Sequence, residues 1–270
     1  MEYLRELAEW SELAFMALLL VAFFVAYEAG AWIARRSVDR AEKPPEGVNV
    51  IVGGLLALLA FVLALTLSYA SARFSERRSG ALAEVNAIST AWSIAEVTGH
   101  PRGKEIARLL EEYTRVREEF VEAGRDNARI AELNKTTSAL QSMMIGHLAA
   151  IVQEQPNAVS TSLMTSLNEA FDAATTERFA YSSGLPTQIF WLLMSLSLLA
   201  AAALGYQMGF GQRRPRLLAV ALMLGWAIVT VDILDLASPR IGYFRASSDA
   251  YRWMLQGFKS GVQIPPAPGR

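Results

Sequence analysis

Three carboxylates stand inside otherwise apolar stretches of this 270-residue chain: Glu28, Asp232 and Asp235. A charge in hydrocarbon is costly, so an acid there either pairs with a cation or lines a path for ions or protons. Glu28 lies seven residues before Arg35, and Asp232 and Asp235 lie close to Arg240, so each has a cation within reach near the end of its segment. The two aspartates are also three residues apart on one helix face, where they could act together on a cation.

A second pattern is built from small side chains. Between Asn49 and Arg73 run twenty-three residues without a charge, long enough as a helix at ~1.5 Å per residue to cross a hydrocarbon layer ~30 Å thick. Asn49, Gly53, Ala57, Ala60, Ala64, Ser68 and Ser71 recur there at steps of three or four, which gathers them on one helix face and leaves the rest to Leu, Phe and Val. A helix that met only lipid would have no reason for such a stripe. Either the small residues let another helix approach closely, or they line a pore in an oligomer, with Phe61 at the edge as an apolar constriction that gates by dewetting. Arg78 falls in line with the stripe, so copies of it would ring a pore mouth and favour anions. The plainer reading is that Arg73, Arg77 and Arg78 mark the membrane boundary and pair with Glu76, Glu84 or a neighbour's acids.

Other chemistries lack their residues. There is no cysteine, which excludes disulfides and thiolate metal sites, and His100 and His147 are too far apart to form a helical metal pair. No nucleophile elbow, paired histidines or phosphate-cradling glycine loop is present, so no catalytic residue, metal or cofactor is assigned and the chain is not expected to be an enzyme. A formal net charge of -1 gives no basic surface for nucleic acid.

The elements that must position these residues are four apolar segments, about Leu13 to Ala34, Val50 to Ala72, Pro186 to Phe210 and Leu217 to Ala237. With 53% hydrophobic and 19% charged residues, the chain is expected to be part membrane, part water-exposed. RRSVDRAEKPPEG and GQRRPR are short connections, so the segments form two hairpins: 1–72 and 185–238, with a helical domain at 73–184 between them and a tail at 239–270. The fold expected is all-α, four transmembrane helices in two hairpins with an intervening extramembrane helical bundle. Breakers in the middle stretch occur only at Gly99 with Pro101, around Gly124, at Pro156 and at Gly184 with Pro186, which divides it into four helices. The first of these continues from the second membrane segment to about Glu96, with Gly80 its weak point. The acidic amino-terminal stretch is unlike a signal peptide, so the first segment is expected to be retained. Seven Lys or Arg in the short loops (Arg35, Arg36, Arg40, Lys43, Arg213, Arg214, Arg216) place those loops in the cytoplasm.

RFSERRSGALAEVNAISTAW, then LLEEYTRVR, LNEAFDAATTERFAY, LPTQIFWLL and DILDLASPRIGYFRAS, together resemble the bacterial bestrophin-like domain family, a group of unknown function. The likeness rests most specifically on Arg73, Phe74, Arg77, Arg78, Glu84, Asn86, Ala87 and Ile88. It rests also on Asp235, Pro239, Arg240 and Gly242 of a motif whose second acid is here Ala237. The resemblance implies kinship to bestrophins, pentameric anion channels whose second membrane helix lines the pore. By that analogy the chain is a homo-oligomer in a bacterial inner membrane, with lipid and inorganic ions as its partners and the middle domain cytoplasmic, the opposite side from that drawn from loop charge. The proline-containing pore motifs and acidic calcium clasp of bestrophins are absent. The alternative is a non-conducting scaffold or sensor whose helical domain binds a partner.

Overall fold

Helix is the only regular element in the computed structural model, which describes residues 12–37, 47–210, 216–240, 242–244 and 247–262. The helices are α1 (Glu12–Ser37), α2 (Val48–Val97), α3 (Pro101–Glu122), α4 (Asn127–Glu154), α5 (Ala158–Ser182), α6 (Thr187–Met208), α7 (Arg216–Ala237) and α8 (Asp249–Phe258). Arg40, Lys43, Arg213 and Arg214 lie outside the described residues.

Their ends follow local chemistry. Gly99 takes a positive φ of 69° after α2, and Pro101 opens α3, where its missing N–H costs nothing. His100 accepts the amide of Arg102 at Nδ1 and its Nε2 lies 3.0 Å from Glu154, so one side chain caps α3 and ties it to the end of α4. Asp126 caps α4, and Asn157 with Ser160 forms a reciprocal cap on α5. Gly80 does not interrupt α2: all 50 residues are helical, about 75 Å at ~1.5 Å per residue.

Four stretches are long and apolar enough to cross a membrane: Leu13–Arg36, Val48–Val97, Ala158–Met208 and Arg216–Ala237. The third covers both α5 and α6. Only α6 is free of ionisable carboxylates and cations, whereas α5 carries Glu169, Asp172, Glu177 and Arg178, so the span is α6.

The chain divides into two compact units, 1–73 with 184–244, and 74–183 with 245–270. In the first, α1 and α6 approach most closely. A Cβ on Gly30 would strike the carbonyl of Ala202, and one on Gly205 would strike that of Tyr27, so only glycine permits this spacing. Phe15, Leu19, Phe23 and Tyr27 of α1 then pack with Ala201 and Leu204 of α6 and with Met223 and Ala227 of α7. In the second unit, α3 turns Ile106, Leu110 and Tyr113 into a core with Ile88 and Trp92 of α2, Leu140 and Met144 of α4, and Leu163 and Leu167 of α5. The stretch after Pro239 is more than a tail: α8 adds Phe258 to this core, its ring 5.0 Å from that of Trp92.

Candidate functional site

The membrane part of α2 shows two different sides. Val52, Leu59, Leu63, Thr66 and Ala70 are buried, and Leu59, Leu63 and Ala70 pack against Leu193, Leu196 and Ala200 of α6 and Ile233 and Ala237 of α7. The small stripe lies about 110° around the helix from that face. Every member of it, Asn49, Gly53, Ala57, Ala60, Ala64, Ser68 and Ser71, is exposed in the single chain. A Cβ on Gly53 would meet no atom within 4 Å, so the glycine is not there to admit a helix of its own chain. Phe61 stands 60% exposed, roughly opposite the buried face. Asn49 Oδ1 accepts from Gln207 Nε2 at 2.8 Å, tying the first end of the stripe to α6.

Two of the acids of the apolar segments, Glu28 and Asp235, have partners. Glu28 Oε1 is 3.4 Å from Arg216 Nε and its Oε2 is 3.9 Å from Arg35, which joins α1 to the start of α7. Asp235 Oδ2 accepts the amides of Tyr243 at 2.9 Å and Phe244 at 3.4 Å. Gly242 takes φ +94° beneath it, where a Cβ would land on the carboxylate. The motif's acid and glycine thus make one turn after α7, the aspartate satisfying amides that the turned chain would otherwise leave unbonded. Pro239 and Arg240 are half-buried in the same turn, and Asp232 is half-buried on α7.

The arginines separate by exposure. Arg73 is half-buried, its Nε donating to the Tyr69 hydroxyl at 3.1 Å with the guanidinium 5.2 Å from that ring. Arg77 is 1% exposed. Arg78 is exposed, 6.0 Å from the ring of Phe74. Asn86 lines an open groove of about 400 Å³ between α2 and α8 with Trp92, Trp253 and Met254.

Glu84 leads to a constellation that its neighbours in sequence do not announce. Arg117 of α3 donates to Glu84 at 2.6 and 3.1 Å and to Glu177 of α5 at 2.6 Å, and the Tyr251 hydroxyl of α8 lies 2.8 Å from an oxygen of each acid. All four side chains are buried. Burial, then the hydrogen bond and charge of Glu84, push the Glu177 carboxyl well above the ordinary carboxylate range. Burial opposes the charge on Arg117, but Glu84 and then Glu177 outweigh it and raise that guanidinium further. Arg117 had a signal in the sequence: it occupies the apolar face of α3, four residues after Tyr113 and seven after Leu110, where a charge must find a buried partner. Glu177 had the same signal on α5, in register with Ala170, Ala174 and Tyr181. Among the described residues no cluster of His, Cys, Asp and Glu could hold a metal ion.

Four apolar spans, a helical unit centred on paired acids and a glycine turn built over Asp235 define a class of helical membrane protein. The chain belongs to the bestrophin-like domain family, whose pattern matches residues 18–251. In solved structures it is similar to a bacterial bestrophin homolog from Klebsiella pneumoniae, with a TM-score of 0.65 at 12% identity over 91% of this chain and 96% of that one. A single-residue variant of the Klebsiella protein gives a TM-score of 0.67 at 12% identity, covering 93% of this chain and 98% of its own. A variant described only as a membrane protein gives 0.66 at 12% identity, covering 96% and 100%. At these identities the likeness is one of fold. No curated protein matches the chain at a significant level.

Proposed function

We propose that this chain is one subunit of a homo-oligomeric ion channel in a bacterial inner membrane, with its pore lined by α2 and its helical unit outside the lipid. The observation that carries the reading is the outward turn of the Asn49 to Ser71 stripe. Beyond Asn49, which bonds to Gln207, the small and polar residues of the stripe are exposed on their own chain, costly to leave against lipid and well suited to a symmetric contact or an aqueous path. A narrow ring of such helices would use the same face for both. Phe61 then stands near the narrowest apolar point and Arg78 at one mouth, where its charge favours anions. A pentamer is the number suggested by analogy with bestrophins.

Planar-bilayer recording of the purified protein, with its mass measured in mild detergent, tests the proposal. A homo-oligomer with unitary currents is expected, and Phe61→Ala is expected to raise conductance or open probability. A monomer at native lipid density, or an oligomer without current in wild type and Phe61→Ala alike, would overturn the channel and leave a scaffold or sensor.

A further inference from the structure

The four buried side chains around Glu84 contain one hydrogen too few. Tyr251 has a single hydroxyl hydrogen, yet its oxygen is 2.8 Å from Glu84 Oε2 and 2.8 Å from Glu177 Oε2. It donates to one of them, so the other oxygen faces it with lone pair against lone pair unless that oxygen carries a proton. Charge makes the same demand. Arg117 supplies one positive charge to two carboxyl groups, each of them 0% exposed. Glu177 Oε1 is buried without a hydrogen-bond partner, an acceptable place for a neutral carboxyl oxygen and a poor one for an anion. One proton shared by the pair completes the hydrogen bonds and brings the site to neutrality.

The groups that face this pair come from four helices. Glu84 belongs to α2, Arg117 and Tyr113 to α3, Glu177 to α5 and Tyr251 to α8. Burial and the two glutamates raise both phenols above their ordinary value, so neither competes for the proton in the range where the acids exchange it.

We propose that Glu84 and Glu177 form a proton-binding site that fastens α8 to the helical bundle, closed while the pair holds one proton and opened when that proton passes to solvent. Loss of the proton leaves two anions on one guanidinium in a dry site, and the Tyr251 hydroxyl then faces two acceptors with one hydrogen. The strain falls on the contact that crosses to α8. That helix has ten residues and is otherwise held by Phe258 against Trp92, by Ala250 and Met254 against the apolar cores, by Ser248 on Glu122 and by Arg252 with Glu118 and Glu122. As the shortest of the described helices, it is the element that gives way. The inference stands whether or not the protein conducts ions.

The test uses the full-length protein in detergent, titrated from acid to alkaline pH. Infrared spectra should contain the carbonyl stretch of a protonated carboxylic acid at neutral pH that fades on alkalinisation and is missing in Glu177→Gln. Amide exchange over 249–258, corrected for the intrinsic effect of pH, should accelerate by about tenfold or more as the band fades, and stay level in Glu177→Gln. Absence of the band at neutral pH, or equal acceleration in Glu177→Gln, would overturn the proposal. Should that variant fail to fold, Tyr251→Phe decides. It keeps both acids, so the band still titrates, but exchange over 249–258 should no longer follow it; exchange that still follows the band would refute the fastening role of Tyr251.

Discussion

Arg117 reaches both Glu84 and Glu177 from the apolar side of α3, and its side chain covers the ring of Phe120 at 4.5 Å. Its removal would strand buried acids, which is far more costly than removing both sides of a pair. Arg117→Met is expected to destabilise the protein by about 3–5 kcal/mol, read as a fall in the detergent melting temperature, with protection over α3 and α8 lost first. A change of less than ~1 kcal/mol would mean that the acids are solvated rather than buried. Gly242 is a second sensitive residue. Ala there meets both a disfavoured φ and the Asp235 carboxylate, and Gly242→Ala is expected to cost about 1–3 kcal/mol. Part of that loss should be recovered in Gly242→Ala with Asp235→Ala, where the collision is gone and the strain remains. Strictly additive effects in the double-mutant cycle would remove the collision from the account.

At the scale of helices, glycines that look alike in sequence have opposite roles. Gly205 lies against the backbone of Tyr27, so Gly205→Val must part α1 from α6, at a cost of about 1–3 kcal/mol. Gly54 has nothing within 4 Å of its absent Cβ. Gly54→Ala should leave the melting temperature unchanged or raise it, since alanine is the better helix former. Comparable losses in both variants would show that glycine acts through the chain rather than through contacts. Helix α8 responds to acid through a different group. Donation from Ser248, then Arg252, holds the Glu122 carboxyl below its usual range. A depressed carboxylate contributes stability above its unfolded value and loses it as pH falls through the folded one. Protection over 249–258 should therefore decline on acidification below the ordinary glutamate range. The decline should be smaller in Ser248→Ala, and modest in any case because Glu122 and Arg252 are about half exposed.

For the whole molecule the deciding quantity is assembly. Ala64→Trp places a large side chain on the outward stripe, which is expected to break the oligomer or block current while leaving the protomer's core intact. Sedimentation in detergent separates the first outcome from wild type, and an unaltered oligomer with wild-type current would exclude the stripe from any interface or path. Arg78→Glu is expected to shift the reversal potential toward cations by placing a ring of opposite charge at the mouth. An unchanged potential would leave Arg78 as a marker of the membrane boundary.

Apolar runs of membrane length and the spacing of proline and glycine determined, from the sequence alone, the helical class, the four spans and most helix ends. Those features act within a turn or two of chain, through backbone hydrogen bonding and the cost of polar groups in lipid. The small stripe was visible for the same reason, since a periodicity needs only one helix. Its direction was not: only the packing of Leu59, Leu63 and Ala70 on α6 and α7 turned the stripe away from its own chain. Equally, the glycines that admit close helix contact proved to be Gly30 and Gly205 on α1 and α6, because closeness is a property of two helices and neither carries it alone. The buried acids show the limit most clearly. Arg117 and Glu177 could each be recognised as a charge on an apolar face, but that they meet Glu84 and Tyr251 from positions up to 167 residues apart was decided by the tertiary fold, since pairing across four helices has no periodicity in sequence.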